Sequence, residues 1–275
     1  MKKSSRIRAV MLDWAGTTVD HGSVAPVFAL NTLFARHQID LSMEDARRDM
    51  GLLKRDHIQA ILALPNISAE WCALFGKEPG AEDVARLFAE FGPVQMDIIT
   101  QHSKVIDGVA EVTKKWQDRG LLIGSTTGYT REMLKPVLDQ ASATGYRPDA
   151  SVCPDEVGAG RPAPWMLARN AQLLNVYPPS SCVKIGDTIS DIEEGLNAGM
   201  WTIGLTRTGN MIGLDAVSLG QLSITQKDVL LKQAASKMLT AGAHFVVEDL
   251  SACDQILAQI DARLGSGAVP DNSSF

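Results

Sequence analysis

The feature that most constrains the fold of this chain is a series of short apolar runs that alternate with helical patterns. These runs cover residues 7–12, 121–125, 182–185, 201–205 and 244–247, and several of them lead into Asp, Thr or Gly. Brief apolar strands that alternate with helices are typical of a parallel sheet with helices on both faces. The sequence therefore predicts a doubly wound, parallel-sheet α/β fold.

One long region interrupts this alternation. Residues 21–101 show helical periodicity without a convincing strand, which predicts an all-helical domain inserted after the first strand. Pro93 is expected to kink or divide the last helix of this insertion. The α/β core would then comprise residues 1–20 and 102–275, and its end, residues 265–275, is rich in Gly, Ser and Asn and predicted to be a mobile tail.

Charge and cysteine content exclude several classes of function. The 275 residues carry a formal net charge of −6, whereas a nucleic-acid groove or a polybasic membrane surface needs clustered Lys and Arg. No apolar run approaches the ~18 residues that a membrane span requires. We therefore expect that the protein binds neither nucleic acid nor membrane. The four cysteines are widely spaced and form no CxxC pair, so we also expect a reduced protein in the cytoplasm.

Three carboxylates are predicted to meet at one edge of the sheet. Asp13 and Asp187 each follow an apolar strand, and Asp191 lies four residues after Asp187, on the next helical turn. Ligands of open α/β sheets bind at the carboxyl ends of the strands. Either strand-end Asp alone could equally be a helix N-cap. Together the three carboxylates would repel one another, and an all-oxygen site of this kind suits Mg²⁺.

The sequence resembles the haloacid dehalogenase (HAD) superfamily at four motifs, which occur in that superfamily's order. Residues 13–20 (DWAGTTVD) are similar to the first motif, and residues 186–191 (GDTISD) to the fourth. Thr127 occupies the position of the second-motif hydroxyl, and Arg161 that of the third-motif cation. The resemblance implies a HAD-like core in which the helical insertion is the cap domain.

Ala15 departs from the usual first motif. HAD phosphatases carry at this position a second Asp, which protonates the leaving alcohol, and alanine cannot transfer a proton. The general acid would therefore come from elsewhere, or the leaving group would not need one in the usual way. A degenerate protein would also explain the change, but the other motifs are intact.

A lysine in the insertion offers another explanation. If this segment is helical, Lys54 shares one face with Met50, His57 and Ile61. A lone lysine is usually a solvated surface charge, but on an apolar stripe that faces the core it can lose solvent. A partly desolvated lysine can form a Schiff base with an aldehyde.

The combination of Ala15 with Lys54 resembles the phosphonoacetaldehyde hydrolases, a HAD branch also called phosphonatases. The similarity covers nearly the whole chain and includes residues 13–20, 50–54 (MGLLK), 124–133 (GSTTGYTREM) and 160–162 (GRP). The resemblance implies hydrolysis of the carbon–phosphorus bond of phosphonoacetaldehyde to acetaldehyde and phosphate during 2-aminoethylphosphonate degradation. It also implies a homodimer joined through the caps. Ser23 stands where a family member has cysteine, which argues against a thiol role there.

The same resemblance implies a role for each matching residue. Asp13 would attack phosphorus and become an aspartyl-phosphate, while Lys54 would form the Schiff base. Thr127, the Gly128 amide and Arg161 would bind the phosphoryl group. Mg²⁺ would be held by Asp13, Asp187 and the backbone carbonyl of Ala15, and Asp191 would support the metal through water or hold another ligand.

Three further residues each have two open roles. His57 would transfer a proton or simply pack on its helix. Met50 would wall the aldehyde pocket or belong to the core, and Tyr129 would contact substrate or cover the strand end.

Two other functions stay open. Another capped HAD phosphatase or phosphomutase acting on a small ester would share the fold, although Ala15 and Lys54 argue against it. A phospho-accepting signalling module also uses a strand-end Asp, Mg²⁺ and a hydroxyl, but it has no use for a helical cap. A small anionic substrate is compatible with the acidic chain, because a pocket needs only two or three cations.

Overall fold

The computed structural model describes residues 5–270. Within this range, six strands form a single parallel sheet in the order β3-β2-β1-β4-β5-β6. The strands are β1 (Ala9–Leu12), β2 (Leu122–Thr126), β3 (Ala150–Val152), β4 (Cys182–Gly186), β5 (Trp201–Leu205) and β6 (Phe245–Val247). The predicted doubly wound α/β fold is confirmed.

Helices cover this sheet and form the insertion. They are α1 (Val24–Arg36), α2 (Met43–Arg48), α3 (Lys54–Leu62), α4 (Pro65–Phe75), α5 (Ala81–His102), α6 (Val109–Asp118), α7 (Arg131–Ala143), α8 (Trp165–Leu173), α9 (Ile189–Asn197), α10 (Ala216–Gln221), α11 (Ile224–Thr240) and α12 (Cys253–Gly265). Helices α1–α5, which we call the helical insertion, follow β1 in unbroken succession. The exact domain limits at residues 21 and 101 stay a prediction.

The strands are apolar because helices cover both sides of the sheet. Every residue of β1, β4 and β5 is buried. The largest apolar cluster extends from these strands into the helical insertion, where it includes Phe34, Ile61 and Phe91. The helical insertion therefore shares a hydrophobic core with the sheet, which holds the start of α3 above the end of β1.

The structure contradicts division of the last helix of the insertion at Pro93, whereas a kink there stays a prediction. Helix α5 passes through Pro93 without division, and this helix packs against α1, α3 and α7. Phe91, which precedes Pro93, and Val94, which follows it, are both buried. Burial of these side chains outweighs the one backbone hydrogen bond that proline removes from a helix.

Three elements were missing from the sequence-based prediction: β3, α12 and α10, of which α10 has only six residues. Strand β3 has only three residues and lies at the sheet edge, so its apolar pattern is too short to recognise. Helix α12 carries a detectable pattern, since its buried residues Cys253, Leu257 and Ile260 recur at helical spacing. Of the predicted mobile tail, residues 271–275 lie outside the described residues.

In the described part of the chain, no single helix has the length and apolar character needed to cross a membrane. The pair α3 and α4 meets these criteria only when joined across a bend of 79°.

Candidate active site

The site lies where the sheet changes its direction of winding. β1 and β4 are neighbours there, and Asp13 and Asp187 follow them directly. Asp191 lies in the first turn of α9, where it accepts hydrogen bonds from Thr188 N (3.1 Å) and Thr188 Oγ1 (2.6 Å). One oxygen of each of the three carboxylates lies within 4.8 Å of the others, and all three side chains are buried. The structure thus brings together the three predicted carboxylates.

Asp187 is fixed by donors from two separate loops. Its Oδ1 accepts a hydrogen bond from Thr17 Oγ1 (2.8 Å), and its Oδ2 accepts one from Asn210 N (2.8 Å). Thr17 follows Gly16, which has a φ of 84°, and a Cβ at Gly16 would collide with the Asp187 carboxylate. Glycine is therefore required here for the turn after β1 to approach Asp187.

The carboxylates differ in how readily they ionise. Burial raises the pKa of Asp13, although Arg161 opposes this change. Burial, together with the charges of Asp13 and Asp191, raises the pKa of Asp187 well above its usual range. Burial also opposes ionisation of Asp191, but Arg161 and Lys184 beside it lower its pKa overall. Asp13 and Asp187 are therefore harder to ionise than Asp191.

Arg161 connects the nucleophile position to the floor of the site. Its Nη2 donates to Asp13 Oδ1 (2.6 Å) and to Thr126 Oγ1 (2.7 Å), and its Nε donates to Glu194 Oε2 (3.0 Å). Its Nη1 lies 3.1 Å from Asp191 Oδ1. Three carboxylates thus contact one buried cation, so the guanidinium has little freedom to move.

Sequence reasoning missed the second buried cation of this network. Lys184 Nζ lies 2.8 Å from Asp191 Oδ1 and 3.3 Å from Glu194 Oε2, and it donates to Thr126 Oγ1 (2.8 Å). A signal was present, because Lys184 interrupts the otherwise apolar strand β4, and a charge buried in a sheet needs an opposite charge. Glu194 and Thr126 had no comparable signal.

The charge balance fits a divalent cation. Four buried carboxylates, of Asp13, Asp187, Asp191 and Glu194, face the two buried cations Arg161 and Lys184. With all groups ionised, two negative charges remain uncompensated. An oxygen-rich cluster of this kind can hold a divalent metal ion at Asp13 and Asp187.

Lys54 is the first residue of α3 and is buried, with 2% of its surface exposed. Its Nζ lies 3.3 Å from Met50 Sδ and 3.5 Å from His57 Nδ1. Burial lowers the pKa of Lys54 to about 7, although the Asp13 charge opposes this change. Burial and the Lys54 charge hold the pKa of His57 well below its usual range, so the imidazole is neutral. Lys54 is therefore poised to be a neutral amine near pH 7.

One detail of the predicted helix face is wrong. Met50 lies in a turn and α3 begins only at Lys54, so these two residues do not belong to one helix. The turn contains Gly51, which has a φ of 97°. It nevertheless brings the thioether of Met50 to the amine, which is why the two side chains meet.

Lys54 and Asp13 line the same cavity. Thr127 Oγ1 accepts a hydrogen bond from Tyr129 N (3.1 Å) at its wall. Gly128 allows the turn before α3 to approach, since a Cβ there would lie 2.6 Å from the Leu52 carbonyl oxygen. The lining residues are Asp13, Ala15, Ser23, Pro26, Met50, Gly51, Lys54, Thr127, Gly128, Tyr129, Arg161 and Thr188.

A family model described as haloacid dehalogenase-like hydrolase matches residues 7–199, so the chain belongs to this class of hydrolase and has its fold. The chain is 43% identical over 264 residues to a phosphonoacetaldehyde hydrolase of Syntrophobacter fumaroxidans, covering 96% of this chain and 95% of the relative. This relative and others at similar identity show that the chain belongs to the phosphonoacetaldehyde hydrolase family, as its sequence motifs predict.

Two further proteins extend the similarity. A bifunctional phosphonoacetaldehyde hydrolase/aminoethylphosphonate transaminase of Clostridioides difficile is 42% identical over 275 residues, which cover 99% of this chain and 43% of that protein. The crystal structure of a phosphonoacetaldehyde hydrolase-like protein from Oleispira antarctica matches with a TM-score of 0.96 at 37% identity, and the match covers 97% of each chain.

Proposed function

We propose that this chain hydrolyses the carbon–phosphorus bond of phosphonoacetaldehyde, releasing acetaldehyde and phosphate, during the degradation of 2-aminoethylphosphonate. The observation that carries this proposal is the buried Lys54 amine in the cavity of Asp13, combined with Ala15 where a proton-donating Asp would stand in a phosphatase. The relative that joins the hydrolase to an aminoethylphosphonate transaminase supports the place in that degradation.

The leaving group explains why a lysine replaces a general acid. Cleavage of a carbon–phosphorus bond would expel a carbanion, which is a very poor leaving group. The neutral Lys54 amine attacks the aldehyde carbon, and the resulting carbinolamine takes up one proton and loses water to form a protonated imine. When the carbon–phosphorus bond breaks, its electron pair moves into this imine and the carbon leaves as a neutral enamine. Proton transfer to carbon and hydrolysis then release acetaldehyde and free Lys54.

Asp13 supplies the nucleophile for phosphorus. Its carboxylate attacks and forms an aspartyl-phosphate, which water hydrolyses to phosphate and free Asp13. Arg161 donates to Asp13 Oδ1 at 2.6 Å, so its guanidinium lies where it can contact both the nucleophile and phosphoryl oxygens. Thr127 and the Gly128 amide provide further donors at the same cavity wall.

We assign Mg²⁺ to the carboxylates at the two strand ends. The Asp13 and Asp187 side chains and the Ala15 carbonyl would hold the ion, which would neutralise charge between the nucleophile and the phosphoryl group. Asp191 already lies within ion-pair distance of Arg161 and Lys184. Asp191 would therefore support the metal through water and not as a direct ligand.

The neutral side chains around Lys54 assist imine formation. His57 Nδ1 lies 3.5 Å from Lys54 Nζ, so the neutral His57 ring can relay a proton from the attacking amine to the departing hydroxyl as the imine forms. Met50 walls the aldehyde side of the cavity. Tyr129, whose pKa burial raises well above its usual range, stays protonated and covers the strand end.

Phosphate release from phosphonoacetaldehyde, with and without Mg²⁺, tests the proposal. We expect turnover only with the ion, and wild-type protein that releases no phosphate would contradict the proposed activity. Borohydride with the aldehyde should leave a reduced adduct on Lys54. The matched control is Asp13→Asn, which should lose phosphate release but keep the Lys54 adduct.

We further propose a cytoplasmic homodimer. The four cysteines are all unpaired, which supports a reducing compartment. Phe28 on α1 and Leu74 and Phe75 on α4 expose 45%, 43% and 39% of their surfaces, which supports association through the helical insertion. Light scattering of wild type and Phe28→Glu tests this, because the substitution should yield monomers.

A further inference from the structure

The loop after β5, residues 206–214, touches three parts of the molecule at once. Gly22 N, ahead of α1, donates to the Thr208 carbonyl (2.7 Å), and Thr208 Oγ1 donates to the Gly16 carbonyl (2.7 Å). Asn210 N donates to Asp187 (2.8 Å). This loop thus lies between the helical insertion, the first-motif turn and a carboxylate of the proposed metal site.

Arg47 of α2 holds this loop from the side of the helical insertion. Its Nη1 donates to Asn210 Oδ1 (3.0 Å), and its Nη2 donates to the Gly213 carbonyl (2.9 Å). The same Nη1 also donates to the Gly22 carbonyl (2.9 Å), where the chain enters the helical insertion. One guanidinium therefore joins α2, the entry to the helical insertion and both ends of the turn at residues 210–213.

Asn210 returns a hydrogen bond to Arg47 and also connects Arg47 to the proposed metal site. Its Nδ2 donates to the Arg47 carbonyl (3.2 Å), so the two residues bond reciprocally, and only 4% of Asn210 is exposed. Gly209 beside it packs closely on Asp187, because a Cβ at Gly209 would lie 2.5 Å from the Asp187 Cβ. A shift of Asn210 would therefore be felt at Asp187.

We propose that Arg47 and Asn210 form a docking link that positions Asp187 for metal binding when the helical insertion is seated on the core. Both are positioning residues, since neither lines the cavity of Lys54 and Asp13. The link rests on the proposed metal-assisted function. When the helical insertion closes over substrate, the docking link would bring Asp187 into the position that binds the metal. Phosphoryl transfer would then be favoured only in the closed enzyme.

Calorimetric titration of the metal-free protein with Mg²⁺ tests the link without turnover. We expect Arg47→Met and Asn210→Ala each to weaken Mg²⁺ binding ~10-fold or more, as losing an outer partner of a metal ligand typically does. Arg48→Met is the matched control, because the neighbouring Arg48 is exposed and pairs only with Asp45 at 3.0 Å among the ion pairs of the described residues. Equal Mg²⁺ affinity in Arg47→Met and Arg48→Met would overturn the proposal.

Two further measurements separate positioning from mere stability. The double variant Arg47→Met/Asn210→Ala should bind Mg²⁺ no more weakly than the weaker single variant, because both substitutions break one link. Arg47→Lys, which keeps the charge but cannot reach both the Asn210 oxygen and the Gly213 carbonyl, should fall between wild type and Arg47→Met. Losses of Mg²⁺ affinity that add fully in the double variant would count against the link. So would an Arg47→Lys variant that binds Mg²⁺ as weakly as Arg47→Met.

Linkage requires the reverse effect as well. Mg²⁺ should slow hydrogen–deuterium exchange of residues 43–53 in wild type and in Arg48→Met, but not in Asn210→Ala. Unchanged exchange in wild type would contradict the coupling. Both readouts are independent of phosphonoacetaldehyde, so failure of the proposed activity would show as absent phosphate release alone.

Discussion

Two lysines of this molecule are buried to the same depth in different surroundings. Lys54, in the helical insertion, is 2% exposed, and its Nζ contacts the Met50 thioether and the neutral His57 ring. Lys184, in the core strand β4, is 0% exposed and lies within ion-pair distance of Asp191 and Glu194. Burial lowers the pKa of Lys54 and so favours its neutral amine. The neighbours, more than the depth, distinguish the proposed covalent catalyst from a lysine that is surrounded by carboxylates.

The largest expected effect is on chemistry at Lys54. Lys54→Arg keeps a positive charge but cannot form an imine, so kcat/KM for phosphate release should fall ~10⁴-fold or more, as for loss of other covalent catalysts. Thermal unfolding of the variant checks that the fold survives. A variant that retains a tenth of wild-type activity would remove Lys54 from its covalent role.

A stability measurement distinguishes the two lysines directly. Lys184→Met leaves Asp191 and Glu194 buried with only Arg161 as a cation, so the free energy of unfolding should fall by about 3–5 kcal/mol. Lys54→Met replaces an amine that has no ion-pair partner among the described residues with an apolar group of similar length, and should cause no loss. Urea unfolding of both variants measures the difference. Equal losses of unfolding free energy would contradict the proposed difference between the two lysines.

The pH dependence of imine formation tests the surroundings of Lys54. The reactive species is the neutral amine, and burial lowers its pKa to about 7. Cyanoborohydride trapping of acetaldehyde at Lys54 in metal-free protein should therefore fall ~10-fold per pH unit below pH 7 and level off above it. An ordinary lysine would instead gain reactivity up to about pH 10. A rate that still rises between pH 8 and 10 would show that Lys54 is solvated.

These two lysines also show how far the sequence reaches. Lys54 and the strand-end residues Asp13 and Asp187 could be predicted, because their surroundings follow from local pattern and from strands ending at one edge. Lys184 was visible as an anomaly in β4, but its partner Thr126 is 58 residues away, and no periodicity encodes such a pairing.

The docking link lay further beyond prediction. Arg47 and Asn210 are 163 residues apart and meet only when the helical insertion packs on the core. Met50 was wrongly assigned to a helix because its spacing to Lys54 also fits a turn that precedes the helix. Spacing alone does not show where a helix begins.

The smallest expected effect concerns Met50, whose Sδ lies 3.3 Å from Lys54 Nζ. Met50→Leu conserves volume and apolar character, so it should cost less than about 1.5 kcal/mol in unfolding free energy. If burial alone sets the reactivity of Lys54, the pH midpoint of trapping should stay within about half a unit of wild type, since one unit corresponds to ~1.4 kcal/mol. A midpoint that moves by a unit or more would show that the sulfur itself stabilises the amine. The contrast with Lys184 would then be one of two partnered lysines, one held by carboxylates and the other by a thioether.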